Sequence, residues 1–115
     1  MRGRPTWPKP GYVYLFWPSG AGLIGKERRP TKIGFCHYRH NESPNETVVR
    51  RLKDIERHHW QSFVYRFSKA LCCANVEEYF VHRKYEKYRI RGEWFNLTFR
   101  QIENIRKYLD SQYEY

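Results

Sequence analysis

The chain is poor in cysteine and has no long apolar run, and both shortages narrow the kinds of protein it can be. Its 115 residues include three cysteines, Cys36, Cys72 and Cys73, an odd number without the spacing of a disulfide scaffold. We therefore expect reduced thiols, as in an intracellular protein. No apolar run approaches the roughly 20 residues that cross a bilayer, and no charged-then-apolar leader is evident. These absences predict a cytoplasmic protein, associated with the nucleoid if bacterial, that has no membrane partner.

Acidic residues are also scarce relative to basic ones. Twenty-two lysines and arginines stand against twelve aspartates and glutamates, which gives a formal net charge of +10. This balance favours a polyphosphate partner, and the ten tyrosines and four tryptophans supply flat rings that can stack on bases. Charge and aromatic content alone also suit a small RNA-binding protein, and an acidic protein or a membrane surface is a further alternative.

The length allows one domain with one core. We interpret residues 1–10, with three prolines among basic residues, as an extended arm, and 11–115 as a single domain. Two runs rich in β-branched and aromatic residues, over 11–17 and 31–37, predict the strands of a hairpin. The glycines and prolines between these runs predict a long, basic, flexible loop.

Apolar periodicity predicts the remaining elements. A first helix is expected from Asn45 or Thr47 to about His59, followed by a strand over 62–68. Asn75 and Glu78 have the pattern of a capping box for a second helix that ends at Gly92. Residues 93–97 are interpreted as a short extended piece, and Thr98 with Gln101 predicts the cap of a third helix. The sequence therefore predicts an α+β fold, a three-stranded antiparallel sheet flanked by helices in the order ββαβαα.

Short motifs follow one another along this framework. They are, in chain order, Val13-Tyr14, Lys32-Ile33-Gly34, Arg51-Leu52, Glu78 with Val81 and His82, and Gly92-Glu93-Trp94-Phe95. Each is unspecific alone, but the ordered set resembles the GIY-YIG nuclease superfamily, in particular its small phage-type branch. The resemblance covers about residues 11–97. It implies a GIY-YIG-like domain that acts on DNA, in the setting of a phage, a mobile element or a defence system.

The resemblance also implies a reaction, which is the hydrolysis of DNA phosphodiester bonds by a Mg²⁺- or Mn²⁺-dependent endonuclease. It places Tyr14 as the general base and Glu78 as the ligand of one divalent metal. Arg51 and Lys32 would stabilise charge, and His82 would orient a water or contact the scissile phosphate. A free tyrosine has a pKa near 10, so the phenolate needs nearby positive charge, which we expect Lys32 to supply.

Basic residues of the hairpin and the first helix are expected to hold the phosphates of duplex DNA. These residues are Arg28, Arg29, Lys32, Arg39, Arg50, Arg51 and Lys53. The same residues would serve a DNA-binding module with little or no cleavage, which is the main alternative. In that case Tyr14 would be a core aromatic and Glu78 a helix cap. One active site cuts one strand, so double-strand cleavage would require a homodimer, a larger assembly or two visits.

Overall fold

The computed structural model describes residues 7–20 and 27–115, and these form an antiparallel sheet of five strands with helices on both faces. The elements are β1 (Gly11–Pro18), β2 (Arg28–His37), α1 (Pro44–His59), β3 (Phe63–Phe67), α2 (Ala74–Lys84), a 3₁₀ helix (Glu86–Tyr88), β4 (Arg89–Arg91), β5 (Trp94–Thr98) and α3 (Phe99–Asp110). The strand order is β3-β1-β2-β5-β4. The described part of the chain contains no helix that is long and apolar enough to span a membrane. The predicted α+β class is confirmed.

Strand β1 is buried along nearly its whole length because both of its faces are covered. It pairs with β2 on one edge and with β3 on the other. Successive side chains of a strand point to opposite faces. Val13 and Leu15 therefore pack with residues of α2 and α3, whereas Tyr14 and Phe16 pack with residues of α1. The predicted hairpin of β1 and β2 is confirmed, and most of its predicted loop lies outside the described residues.

Two helices begin with reciprocal caps that the sequence displays. Ser43 accepts a hydrogen bond from the backbone of Glu46, and the Glu46 side chain accepts one from the backbone of Ser43. Thr98 and Gln101 make the same exchange at the start of α3, as predicted. Such caps satisfy backbone N–H groups that a helix leaves unpaired at its first turn. The predicted first helix is confirmed with its end at His59, and the Ser43 cap starts it slightly earlier.

The sheet has two more strands than predicted. The predicted short extended piece, residues 93–97, corresponds to β5 (Trp94–Thr98), which pairs with β2, and β4 pairs with β5. The second helix ends at Lys84, and Gly92, with φ 54°, lies between β4 and β5 instead of capping that helix. The central strand β2 pairs with β1 on one edge, and its second edge needs hydrogen-bond partners, which β5 supplies. The order is therefore ββαβα followed by ββα, in place of ββαβαα.

The predicted capping box of the second helix is wrong. Helix α2 begins one residue earlier, and the side chain of Cys73 at its N-cap makes no capping hydrogen bond. Asn75 instead holds the preceding segment, because its Nδ2 donates to the Trp7 carbonyl at 2.6 Å and its Oδ1 accepts from the Lys9 backbone N–H at 2.7 Å. Helix capping therefore does not account for Glu78.

Candidate active site

Tyr14 lies over Gly34 on the α1 side of the sheet. The two residues are directly opposite each other in the β1–β2 ladder. A methyl group at Gly34 would overlap the hydroxyl and ring of Tyr14, so glycine is required for the phenol ring to lie across β2. The ring of Phe16 stacks on that of Tyr14 with centroids 4.3 Å apart. Packing alone therefore fixes the position of the Tyr14 hydroxyl.

The Tyr14 hydroxyl accepts a hydrogen bond from Arg51, whose Nε lies 3.3 Å away. Tyr14 is only 1% exposed and Arg51 is exposed, so the pair connects the core of the sheet with the surface of α1. The bond raises the pKa of Arg51 further above its usual range, because it stabilises the charged guanidinium. The structure thus brings together two predicted catalytic residues that are 37 positions apart in the chain.

Tyr14 is a neutral phenol in this arrangement. Burial raises the pKa of Tyr14 well above its usual value, and the negative charge of Glu93 raises it further. The hydrogen bond and charge of Arg51 lower the pKa by less. Lys32 was predicted to favour the phenolate, but its Nζ pairs with a carboxylate oxygen of Glu93 at 3.2 Å. In this arrangement the carboxylate offsets the charge of Lys32, so the effect of Lys32 on the phenolate stays a prediction.

Glu93 is a residue of this site to which the sequence analysis gave no role. Its backbone carbonyl accepts a hydrogen bond from the Ile33 N–H at 2.9 Å, and its side chain pairs with Lys32. Its charge acts on both Tyr14 and Arg51. The signal was its place in Gly-Glu-Trp-Phe, where a charged side chain directly precedes two large rings at the start of a strand.

Glu78 and His82 lie on α2, which packs against the face of the sheet opposite α1. Both side chains are buried. The Nε2 of His82 is 2.8 Å from the Ile33 carbonyl oxygen, and because a carbonyl only accepts, Nε2 carries a proton. The ring of His82 also packs on Phe95, with centroids 4.9 Å apart. His82 is therefore fixed against β2, at the residue between Lys32 and Gly34.

A groove of about 830 Å³ connects His82 with Glu93. Its lining residues are Tyr79, His82, Arg83, Glu86, Arg89, Gly92 and Glu93. Arg83 and Arg89 give the groove two guanidinium groups, which match the geometry of phosphate oxygens. Through Glu93, the ion-pair partner of Lys32, the groove reaches the group that contains Tyr14 and Arg51. The structure therefore brings Tyr14 and Arg51 together on the α1 face, with Lys32 joined to this group through Glu93. Glu78 and His82 lie on α2, on the opposite face of the sheet.

The side chains around this groove have the ligand chemistry of Mg²⁺, which prefers carboxylate oxygens and water. Glu86 and Glu93 line the groove, and Glu78 lies one helical turn before His82. Within residues 7–20 and 27–115, no three His, Cys, Asp or Glu side chains form a group that could hold a metal. Mg²⁺ needs no such group, since it keeps several waters and takes one or two carboxylates. The carboxylates present therefore suit Mg²⁺ in ligand type, with Glu78 as the predicted ligand and Glu93 as a second candidate.

Cys36 lies on the same side of the sheet as Tyr14 but does not have the properties of a nucleophile. Burial raises the pKa of the Cys36 thiol to about 11, although the charges of Arg51, Arg50 and Arg39 act in the opposite direction. A thiol with so high a pKa is protonated at neutral pH and reacts poorly. All three cysteines are free. The geometry therefore does not favour thiol chemistry at this site.

One residue predicted to contact phosphate, Arg29, is enclosed by the fold. Its Nη2 donates to the Glu27 carbonyl at 3.1 Å, and its guanidinium lies 5.8 Å from the centroid of the Phe99 ring. With 1% of its surface exposed, Arg29 cannot reach a phosphate backbone, and this prediction is wrong. The fold turns the Arg29 side chain inward, as it does its neighbour Thr31 two positions along β2.

The other predicted phosphate-binding residues are accessible. Arg28, Arg39, Arg50, Arg51 and Lys53 are exposed, and Lys32 is half-buried. Several of them have partners within the protein. Arg28 lies over the Tyr88 ring at 4.6 Å, and both Arg39 and Arg50 pair with Glu42. A phosphate would therefore have to displace these contacts in order to bind Arg28, Arg39 or Arg50.

The site contains contacts that the motif pattern alone does not reveal. The Tyr14–Arg51 hydrogen bond joins β1 to α1, and the Lys32–Glu93 ion pair joins β2 to the residue that precedes β5. The resemblance to the GIY-YIG superfamily remains an expectation from the sequence motifs alone. Comparisons of the chain with models of known protein families, with curated proteins and with solved structures find no match.

Proposed function

We propose that this protein is a metal-dependent endonuclease that hydrolyses phosphodiester bonds of DNA. The observation that supports the proposal most strongly is the Tyr14–Arg51 hydrogen bond above Gly34, because three motifs far apart in the chain meet there. A phenol, a guanidinium, an ammonium and a carboxylate within reach of one another are suited to phosphoryl transfer. A domain that needed only a core at this position would be served by apolar side chains.

Arg51 and Lys32 would act on the charge of the phosphate. Arg51 presents a planar fork of donors to the oxygens on which negative charge develops, and it is exposed enough to reach them. Lys32 would exchange its contact with Glu93 for one with the phosphate. Both residues would then stabilise the transition state more than the free substrate, which is the requirement for catalysis.

Tyr14 would accept the proton of the attacking water at its Oη. In the present arrangement Oη already holds a proton, since burial and Glu93 raise its pKa. The phenolate becomes accessible only when positive charge outweighs those two effects. Arg51 supplies part of that charge, and Lys32 adds to it when Glu93 is engaged elsewhere.

Glu78, with Glu93, would hold a Mg²⁺ ion, which supplies Lewis acidity to the phosphoryl group and a template for its orientation when bound. The hydrogen bond between His82 Nε2 and the Ile33 carbonyl holds the ring at the groove, where His82 would orient a water or contact the scissile phosphate. The net charge of +10 would draw duplex DNA to these groups. Cleavage of both strands would require a homodimer or a larger assembly.

The second candidate is a DNA-binding module of the same fold without cleavage. The raised pKa of Tyr14 is the observation in its favour, because a neutral phenol is a poor base. Such a module would use Arg51 and Lys32 only to hold phosphate, and its affinity would fall steeply with salt. It would not depend on the hydroxyl of Tyr14 or on the carboxylate of Glu78.

Plasmid cleavage separates the two candidates. Supercoiled plasmid is incubated with Mg²⁺ or Mn²⁺ and the wild type, Tyr14→Phe or Glu78→Ala, with Tyr108→Phe as a control for loss of a different hydroxyl. Retained DNA binding with loss of nicking in the first two variants alone is the result expected of the nuclease. Binding by every protein without cleavage by any would support the binding module. Cleavage that survives both Tyr14→Phe and Glu78→Ala would overturn the assignment of these residues.

A further inference from the structure

Trp60 closes α1 with a backbone conformation that suits glycine and a side chain that lies outside the fold. Its φ of 56° and ψ of 33° are left-handed, and no other non-glycine residue in the described ranges has a positive φ. L-residues with a Cβ adopt this conformation at a cost, so helices that end this way usually end in glycine. The Trp60 side chain is 94% exposed. Neither helix formation nor core packing accounts for a tryptophan here.

The turn that carries Trp60 is held in place by hydrogen bonds. The Trp60 N–H donates to the Glu56 carbonyl at 2.9 Å, and the Glu56 carboxylate accepts from the Phe63 N–H at 2.8 Å. Two residues beyond Trp60, the Ser62 carbonyl accepts from the Ser19 N–H at 2.9 Å. Because the support is ordered, a ligand of the indole would restrict little further backbone motion on binding.

Trp60 also lies next to residues that lead to the candidate active site. The ring of its neighbour His59 packs against Trp94 with centroids 5.4 Å apart, and Lys32 Nζ lies 5.5 Å from the centroid of the same Trp94 ring. Together these two contacts place Lys32 Nζ within about 11 Å of the His59 ring, a distance of roughly three nucleotides along a stacked strand. A nucleic acid that places a phosphate at Lys32 would therefore pass close to the end of α1, where Trp60 follows His59.

The surroundings of Trp60 favour a base over an apolar protein partner. Its sequence neighbours are His58, His59, Gln61 and Ser62, which are polar and exposed. Basic residues are frequent on α1, among them Lys53 and Arg57. Aromatic anchors of protein interfaces lie within a closely packed patch of other contacts, whereas isolated rings among cations hold bases by stacking.

We infer that Trp60 is a stacking platform for an unpaired base of the bound nucleic acid. The inference rests on the proposed function, since it assumes that a phosphate binds near Lys32. A base inside a duplex has neighbours on both of its faces, so the ligand of Trp60 is a base in a single-stranded, gapped or branched segment. The substrate class is thereby narrowed to DNA that has unpaired bases near the cleaved bond.

Binding measured without a divalent metal tests this inference independently of cleavage. Fluorescence anisotropy compares a labelled DNA duplex with the same duplex carrying a single-stranded extension. The proteins are the wild type, Trp60→Gly, Trp60→Ala and Trp60→Phe, with Trp7→Ala as a control because Trp7 is also largely exposed. A thermal melt of each variant accompanies the titration, so that loss of fold is separated from loss of the ring.

The expected result is that loss of the Trp60 ring to glycine stabilises the fold but weakens DNA binding. Trp60→Gly raises the melting temperature, because glycine relieves the left-handed backbone, yet it weakens binding of the extended duplex about tenfold. Trp60→Ala weakens binding equally without the gain in melting temperature. Trp60→Phe and Trp7→Ala stay within about twofold of the wild type, as does every variant on the plain duplex, since only the loss of a stacked ring costs affinity.

Two outcomes would overturn the inference. If the Trp60→Gly variant binds the extended duplex as tightly as the wild type, or loses affinity equally for both DNAs, Trp60 is not a stacking platform while the proposed function stands. If the wild type binds neither DNA even at low salt, both the inference and the proposed function fail. The two failures are thus distinguished by the wild-type titration on the plain duplex.

Discussion

The two faces of strand β1 differ in chemistry although the same eight residues supply both. Val13, Leu15 and Trp17 face α2 and α3 within a largely aliphatic cluster. Tyr12, Tyr14 and Phe16 face α1. The Tyr14 ring lies over Gly34, and its hydroxyl accepts a hydrogen bond from Arg51. Both faces are almost fully buried. Burial alone therefore does not distinguish the two faces of β1, whereas the polar contacts of their buried side chains do.

The difference between the two faces has a physical basis in the free energy of burying their side chains. An aliphatic face is stabilised by burial of apolar area and requires only good packing. A buried phenol requires a partner for its hydroxyl, or desolvation of that group opposes folding. On the α1 face that partner is an exposed arginine, not a backbone carbonyl of the core. This choice leaves the hydroxyl connected with the surface, which a purely structural tyrosine does not need.

The largest expected effects come from one substitution on each face of β1. Leu15→Ala should lower the free energy of unfolding by about 2–5 kcal/mol, because it leaves a cavity in the aliphatic cluster. Tyr14→Phe removes one oxygen and should change the free energy of unfolding by only about 1 kcal/mol, yet reduce cleavage at least about 100-fold. Urea denaturation and plasmid cleavage measure the two quantities. Equal losses of stability and of cleavage in both variants would remove the proposed distinction between the faces.

Gly34→Ala should be the next largest change, because its methyl group would overlap the ring of Tyr14. We expect a loss of about 1–3 kcal/mol in the free energy of unfolding and a displaced Tyr14 hydroxyl, hence weaker cleavage. Gly92→Ala is the matched control, since it has a φ of 54° but open space around its Cβ position. It should cost stability through backbone strain alone and leave Tyr14 in place. Near-ultraviolet circular dichroism and thermal melts compare the two, and a Gly34→Ala protein as stable and active as the wild type would contradict the argument.

Local sequence patterns were sufficient to predict α1, β1 and β2, but not the two strands β4 and β5. Helix α1 has an apolar stripe and a cap within its own residues, and β1 and β2 are long β-rich runs. Strand β4 has three residues and β5 has five. Strand β5 pairs with β2, which lies far earlier in the chain, and β4 pairs only with its neighbour β5 among the described strands. Strands this short, positioned by a partner distant in sequence, leave no local periodicity to recognise. The charged run before Gly92 was consequently interpreted as the end of a helix.

The sequence motifs could predict which residues belong to the candidate site, but not the contacts or the burial of those residues. The motif pattern identified Tyr14 and Arg51, and the structure brings them together. It did not reveal that Glu93 would offset Lys32, or that burial would raise the pKa of Tyr14, because both depend on which side chains the fold encloses. The exposure and left-handed backbone of Trp60 are likewise properties of the folded chain.

Glu93→Gln should produce a moderate effect, confined to the α1 face. The negative charge of Glu93 raises the pKa of Tyr14, so its removal should lower that pKa and allow the phenol to ionise at lower pH than in the wild type. The folded-state pKa lies above that of the unfolded chain, so stability is lost as the pH rises beyond about 10, and Glu93→Gln should lessen that loss. Ultraviolet absorbance titration and urea denaturation at alkaline pH measure the two effects.

The control for this charge is Glu86→Gln. This variant removes a carboxylate that lines the same groove but is not among the charges that act on Tyr14. It should leave the titration of Tyr14 unchanged. Subtraction of the Tyr14→Phe titration from that of each protein assigns the signal to Tyr14. An identical titration of Tyr14 in the wild type and the Glu93→Gln variant would show that Glu93 does not control this phenol.

Tyr108→Phe should have the smallest effect, because its hydroxyl belongs to the layer of α2 and α3. The Tyr108 hydroxyl donates to Glu77 at 2.7 Å near the surface, and burial together with this bond raises the pKa of Tyr108 to about 12. Loss of one such exposed hydrogen bond should cost about 0.5 kcal/mol in the free energy of unfolding and leave cleavage unchanged. Urea denaturation, plasmid cleavage and loss of the titration component near pH 12 are the measurements. A cleavage defect as large as that of Tyr14→Phe would mean that the hydroxyls on the two faces of the sheet are not functionally distinct.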